Sequence, residues 1–166
     1  MAVVHAKSEI ETYCTTFELE SQTTLKVLRA FPEARAEFKP VESSQSAREL
    51  AWTLVMLEGC LEPILRGDAM MKEMPPMPPT WAGIMTAFEE AQRRTSANLD
   101  ELSEAKMNAT VRTMTGPKQE GEVRVGQLLW SMLDMTIHHR GQFSVYLRMV
   151  GGKVPSIYGP SGDEPW

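Results

Sequence analysis

The chain has 166 residues, 42% hydrophobic and 23% charged, which excludes a disordered polypeptide and sets the expectation of a single domain over residues 1–166 around one sizeable core. Its 17 basic residues face 22 acidic ones, for a net charge of −5, and the longest basic run is the pair Arg93-Arg94, so a nucleic-acid partner is not expected. No apolar stretch reaches the length of a membrane span, and the opening Met1-Ala2-Val3-Val4-His5-Ala6-Lys7-Ser8 lacks the apolar core of a signal peptide. The expectation is a cytoplasmic protein with no membrane partner.

Helical periodicity marks four long segments. The first is predicted from Ser8 to Phe31: Ser8 and Glu11 form a capping box, and each satisfies an orphan N–H. Ile10, Tyr13, Cys14, Phe17, Leu25 and Leu28 mark its inner side, and Pro32 stops it. The second is predicted from Ser46 to Leu65, opened by the capping box Ser46–Glu49. Leu50, Thr53, Leu54, Leu57, Leu61 and Ile64 recur on one face, Pro63 distorts the last turn, and Gly67 marks the exit. The run Met74-Pro75-Pro76-Met77-Pro78-Pro79 reads as a stiff connection in preference to a proline-rich segment recognised by another protein, because it is short. Thr80 caps the third helix, predicted to reach Glu104 through Trp81, Ile84, Met85, Phe88, Ala91 and Leu99. Residues 105–123 carry no clear period, but Gly116-Pro117 signals a turn. The fourth helix is predicted over Val125–Val150, with Leu128, Met132, Met135, His139, Phe143, Tyr146 and Val150 as its inner stripe and Gly151-Gly152 as its stop. Cys14 and Cys60 fall at apolar helical positions and read as small buried hydrophobes, since a cytosolic disulfide is unusual.

Chemistry can reside in His138-His139-Arg140-Gly141-Gln142. Adjacent helical residues diverge by about 100°, so the two imidazoles cannot serve one metal from a regular helix. His139 is placed on the inner stripe and His138 to one side, near Asp134. Arg140 has Asp134 or Glu58 as expected partners. Gly141 inside a helix costs about 1 kcal/mol against alanine, which suggests close approach by a neighbouring helix. Thr53 either bonds a carbonyl one turn back or shares an interior pocket with His139.

The stretch Ser46-Ala47-Arg48-Glu49-Leu50-Ala51-Trp52, the His-His-Arg-Gly-Gln of the fourth helix with Tyr146-Leu147-Arg148, and the closing Val154-Pro155-Ser156-Ile157-Tyr158-Gly159-Pro160 resemble the DinB-like family over nearly the whole chain. The resemblance implies an all-α four-helix bundle, often a homodimer, in a family that includes divalent-metal-binding proteins and thiol-dependent transferases and isomerases. The family's usual metal site takes one histidine from the second helix and an H-x-x-x-H pair from the fourth. Residue by residue, those positions are held here by Thr53, Met135 and His139, so only His139 survives as a metal ligand. Methionine and threonine are weak ligands for zinc or nickel.

The leading reading is therefore a bundle with a degenerate metal site and an interior pocket lined by Thr53, Met135 and His139. Such a pocket would take a small-molecule ligand, with no cofactor expected. No catalytic residue is assigned. One alternative is a metal- or thiol-dependent transferase or hydrolase that uses His139 and retains a divalent ion, zinc or nickel. The other is a dimeric interaction protein without a ligand. Trp81, Trp130 and Trp166 are apolar residues that one small core need not absorb, which favours a homodimer.

Overall fold

The computed structural model describes residues 7–69 and 75–165; Trp166 and Met74, both used above, lie outside them. Helix α1 spans Glu9–Arg29, α2 Ala47–Leu65, α3 Trp81–Leu99, α4 Glu104–Asn108 and α5 Val125–Met149, with strands β1 (Thr110–Gly116) and β2 (Gln119–Arg124) before α5. Both capping boxes form. The Ser8 hydroxyl accepts from the Glu11 amide at 3.1 Å while the Glu11 carboxylate accepts from the Ser8 amide at 2.8 Å. Ser46 and Glu49 repeat the exchange at 3.2 and 2.7 Å. At the C-terminus of α2, Gly67 takes φ 86°, and the amides of Gly67 and Asp68 donate to Ile64 and Pro63 carbonyls at 3.0 and 2.8 Å. Gly151 at φ 80° closes α5 the same way, with Gly152 donating to Leu147 at 2.9 Å. Both ends are left-handed glycine caps in which two orphan carbonyls are satisfied.

Two expectations change between α3 and α5. The third helix ends at Leu99 rather than Glu104, because the Ser103 hydroxyl accepts from the Lys106 amide and starts the separate helix α4. The segment without a clear period forms an antiparallel hairpin, Val111 opposite Val123 and Thr113 opposite Gly121. It turns at Pro117-Lys118, where Lys118 takes φ 59°.

Helix α2 packs against α3 and α5, and α1 packs against the same two. Consecutive helices α1 and α2 are thus diagonal, and the connection between them crosses one end of the bundle. The inner face of α5 is rotated by one residue from the expected stripe. Val125, Leu129, Leu133, Thr136, Arg140, Phe143 and Leu147 are buried, whereas Met135 is 42% exposed and His139 is only partly covered. Both stripes have helical spacing, and packing against α1 and α2 decides between them.

Gly141 likewise departs from expectation. It is exposed, and a Cβ built on it would meet nothing within 4 Å, so no helix approaches closely there. Gly141→Ala is therefore expected to raise stability by about 0.5–1 kcal/mol through helix propensity, read as a shift in the urea midpoint with unchanged slope.

The core falls into two apolar halves. One contains Leu28, Leu50, Leu54, Ile84, Phe88, Phe143 and Leu147; the other contains Tyr13, Phe17, Leu61, Leu99, Met107, Leu129 and Leu133. Between them every long helix contributes buried polar residues: Glu20, Ser21 and Thr24 from α1, Glu58 from α2, Gln92 and Thr95 from α3, and Thr136 and Arg140 from α5. A polar layer thus crosses the middle of the bundle.

Candidate functional site

In that layer the Ser21 hydroxyl donates to the Glu58 carboxylate at 2.7 Å, across the diagonal, and Thr95 donates to the Glu58 carbonyl at 3.2 Å. Burial pushes the Glu58 carboxyl up to about 7, partly offset by the Ser21 bond. Burial, and then the Glu58 charge, raises the Tyr13 phenol. Arg140 forms the other half of the layer. Its Nη1 lies 2.6 Å from Glu20 Oε2 and donates to the Glu20 carbonyl at 3.1 Å and to Thr24 Oγ1 at 3.4 Å. Its Nη2 donates to the Tyr158 hydroxyl, which in turn donates to Glu20 Oε2 at 2.8 Å. The partner of Arg140 is therefore Glu20, not Asp134 or Glu58. Sequence reading missed this network; the available signal was Arg140 standing on the 129-133-136-140-143-147 stripe.

Thr53, Met135 and His139, nominated from sequence, do not line an interior pocket: Met135 is exposed, and Thr53 and His139 are only partly covered. Between α2 and α5 a groove of about 350 Å³ is lined by Ser44, Gln45, Leu50, Gln142, Val145 and Tyr146, and none of Thr53, Met135 and His139 is among them. The Tyr146 hydroxyl donates to the Gln45 carbonyl at 3.2 Å. Thr53 donates to the Glu49 carbonyl and accepts from Gln45 Nε2, both at 3.1 Å, so its hydroxyl takes the back-bond that relieves a mid-helix threonine. His139 Nδ1 meets Gln142 Oε1 at 3.0 Å, and its ring stands edge-on to His138 with centroids 5.2 Å apart. Thr53 and His139 are thus linked, through Gln45 and Gln142, to the walls of one groove. Met135 stands one turn before His139 on the exposed side. Cys14 and Cys60 are half-buried, and burial raises both thiols, which leaves them poor thiolate nucleophiles.

These residues do not fit a divalent ion. Catalytic zinc needs about three protein ligands. The Thr53 hydroxyl is held by two neighbours, Met135 points to solvent, and one imidazole nitrogen of His139 is engaged by Gln142. Among the described residues no three His, Cys, Asp or Glu side chains gather in a metal-binding group.

A four-helix bundle with a short hairpin before the last helix, a polar layer at mid-height and a groove on the α2–α5 seam defines the class. The profile of the DinB family matches residues 4–165, and the chain belongs to that family. Two solved structures share the fold. A DinB-like protein from Bacillus cereus ATCC 10987 is 20% identical with TM-score 0.73, over 89% of this chain and 97% of that one. A DinB-like protein from Bacillus subtilis is 21% identical with TM-score 0.66, over 84% and 92%. No curated protein matches the chain. Among the described residues no helix is long and apolar enough to cross a membrane.

Proposed function

We propose that this DinB-family protein binds a small polar molecule in the α2–α5 groove and has lost the family's metal centre. The observation that carries the reading is the linkage of Thr53 and His139, through Gln45 and Gln142, to the walls of one groove. With Gln142 Oε1 accepting from Nδ1, the lone pair of His139 sits on Nε2 and can receive a hydrogen bond from a ligand. Gln45, Ser44 and Gln142 add uncharged donors and acceptors, which suits a neutral, hydrogen-bonding ligand over an ion. The same tautomer supports the enzymatic alternative, in which Nε2 takes a proton from a substrate nucleophile.

The metal part of the reading is tested by elemental analysis of the dialysed protein, expected to hold well under one equivalent of zinc or nickel. The double change Thr53→His and Met135→His should bring metal and thermal stability together, since binding to the folded form stabilises it by mass action. Stoichiometric metal in the parent, lost on His139→Ala, would overturn it. The ligand part is tested by titrating a fragment library of neutral amides and polyols and following the Gln45 and Gln142 side-chain amide signals by NMR. A Gln45 amide shift that is present in the parent and vanishes in Gln142→Leu is expected; a library that moves neither amide in the parent would sink it.

A homodimer belongs to the same proposal. Met135, Val145 and Met149 expose 42%, 57% and 53% of their surface on the outer side of α5, and a second copy seated there would shield them and wall the groove. A monomeric mass by sedimentation across a wide concentration range would remove this element.

A further inference from the structure

On the other side of α2, facing α3, lies a second and larger cavity of about 590 Å³. Its origin is residue size. Gly59 on α2 and Ala87 and Ala91 on α3 line it, and a Cβ built on Gly59 would meet nothing within 4 Å. Trp52, Val55 and Met56 supply apolar wall. The mouth is charged. Arg66 Nη2 and Arg94 Nε both converge on Glu62, at 2.7 and 3.1 Å. Each guanidinium offers five N–H donors, and one carboxylate engages one nitrogen of each. Both arginine side chains are at least half exposed, at 67% and 50%, whereas Glu62 is 19% exposed. Glu90 and Asp68 also line the rim, with Glu90 3.9 Å from Arg94. Glu62, Glu90 and Asp68 outnumber the two guanidiniums on the rim, so the match to a carboxylate head rests on the remaining N–H donors of Arg66 and Arg94, whose fork geometry pairs with carboxylates in bidentate fashion. The volume lies in the usual range for small-molecule sites, roughly 300–1,000 Å³.

We infer that the α2–α3 cavity binds an amphipathic monocarboxylate, its apolar body against Trp52, Val55 and Met56 and its head on Arg66 and Arg94. The site is separate from the α2–α5 groove, so its fate does not depend on the function proposed there. The test is calorimetric titration of the full chain with decanoate, decanol and decylamine. Decanoate should bind saturably, at least ten-fold more tightly than decanol and decylamine. Gly59→Leu should fill the chamber and abolish binding while helical circular dichroism is retained, since the new side chain enters open space. Should that variant fail to fold, Arg66→Gln/Arg94→Gln decides: it should weaken decanoate at least ten-fold and leave decanol unchanged. Absence of saturable decanoate binding, tighter binding of decylamine, or binding indifferent to these substitutions would overturn the inference.

Discussion

Replacing Arg140 with methionine is expected to destabilise the protein by about 3–5 kcal/mol, the cost of removing one partner from a buried ion pair. The Arg140 side chain is 1% exposed and that of Glu20 11%. Without the guanidinium, the Glu20 carboxylate stays largely inside, with the Tyr158 hydroxyl as its remaining side-chain donor among the described residues, and the Glu20 carbonyl and Thr24 hydroxyl lose a donor. A typical domain has about 5–15 kcal/mol to lose, so this single change consumes a large share. The double variant Glu20→Met/Arg140→Met should recover most of the loss, because an apolar pair of similar volume leaves no buried charge behind. Arg140→Lys should not rescue fully, since one ammonium cannot reach Glu20, Thr24 and Tyr158 with fork geometry. Urea unfolding of the four proteins measures this. Equal stabilities for the parent and Arg140→Met would show that the network contributes nothing. The network also fastens the chain end: Tyr158 lies beyond the Gly151 cap, and its hydroxyl bridges Arg140 of α5 and Glu20 of α1.

What the sequence made legible follows from range. Helix starts at Ser8, Ser46 and Thr80 are set by side chains three residues from the amides they cap, and the stops at Gly67 and Gly151 need only a backbone preference. These interactions are local, so they stand in the sequence. The face of α5 that turns inward is not local. Leu128-Met132-Met135-His139 and Leu129-Leu133-Thr136-Arg140 share one period, and hydrophobicity favours the first because it holds Met135 and His139 where the second holds Thr136 and Arg140. The true inner stripe tolerates Arg140 because Glu20, 120 residues earlier, meets it. Ser21 and Glu58 are 37 residues apart and meet across the diagonal. Periodicity carries no information about such partners, so the polar layer stayed hidden while the bundle itself did not. Thr53 shows the same division: its back-bond to Glu49 was foreseeable, its bond from Gln45 in the preceding loop was not. The α2–α3 cavity had only the smallness of Gly59, Ala87 and Ala91 to announce it, and small residues in a helix more often mean close packing.

Glu58 should make the protein more stable at pH 5 than at pH 8, the reverse of the usual acid lability. The residue is 2% exposed, and burial raises its carboxyl from 4.5 to about 7. The folded form therefore holds this proton more tightly than the unfolded chain does. Between those two values the native state binds more protons, so stability falls as pH rises through the window and levels off above it. Each pH unit of displacement is worth about 1.4 kcal/mol, giving a total of roughly 3 kcal/mol. Glu9, Glu11, Glu49 and Glu164 are displaced the other way by Arg124, Ser8, Ser46 and Lys26. Their contribution is lost as pH drops below the ordinary carboxylate range, so the two trends act in separate windows and leave a maximum near pH 5. Glu58→Gln keeps the shape and an acceptor for Ser21 but cannot ionise. The variant should match the parent within about 1 kcal/mol at pH 5 and exceed it by roughly 2 kcal/mol at pH 8. Histidines common to both proteins cancel in that difference. Urea midpoints across the range decide the matter: parallel profiles for parent and variant would mean that Glu58 is not the group that titrates, and that the polar layer is neutral to pH.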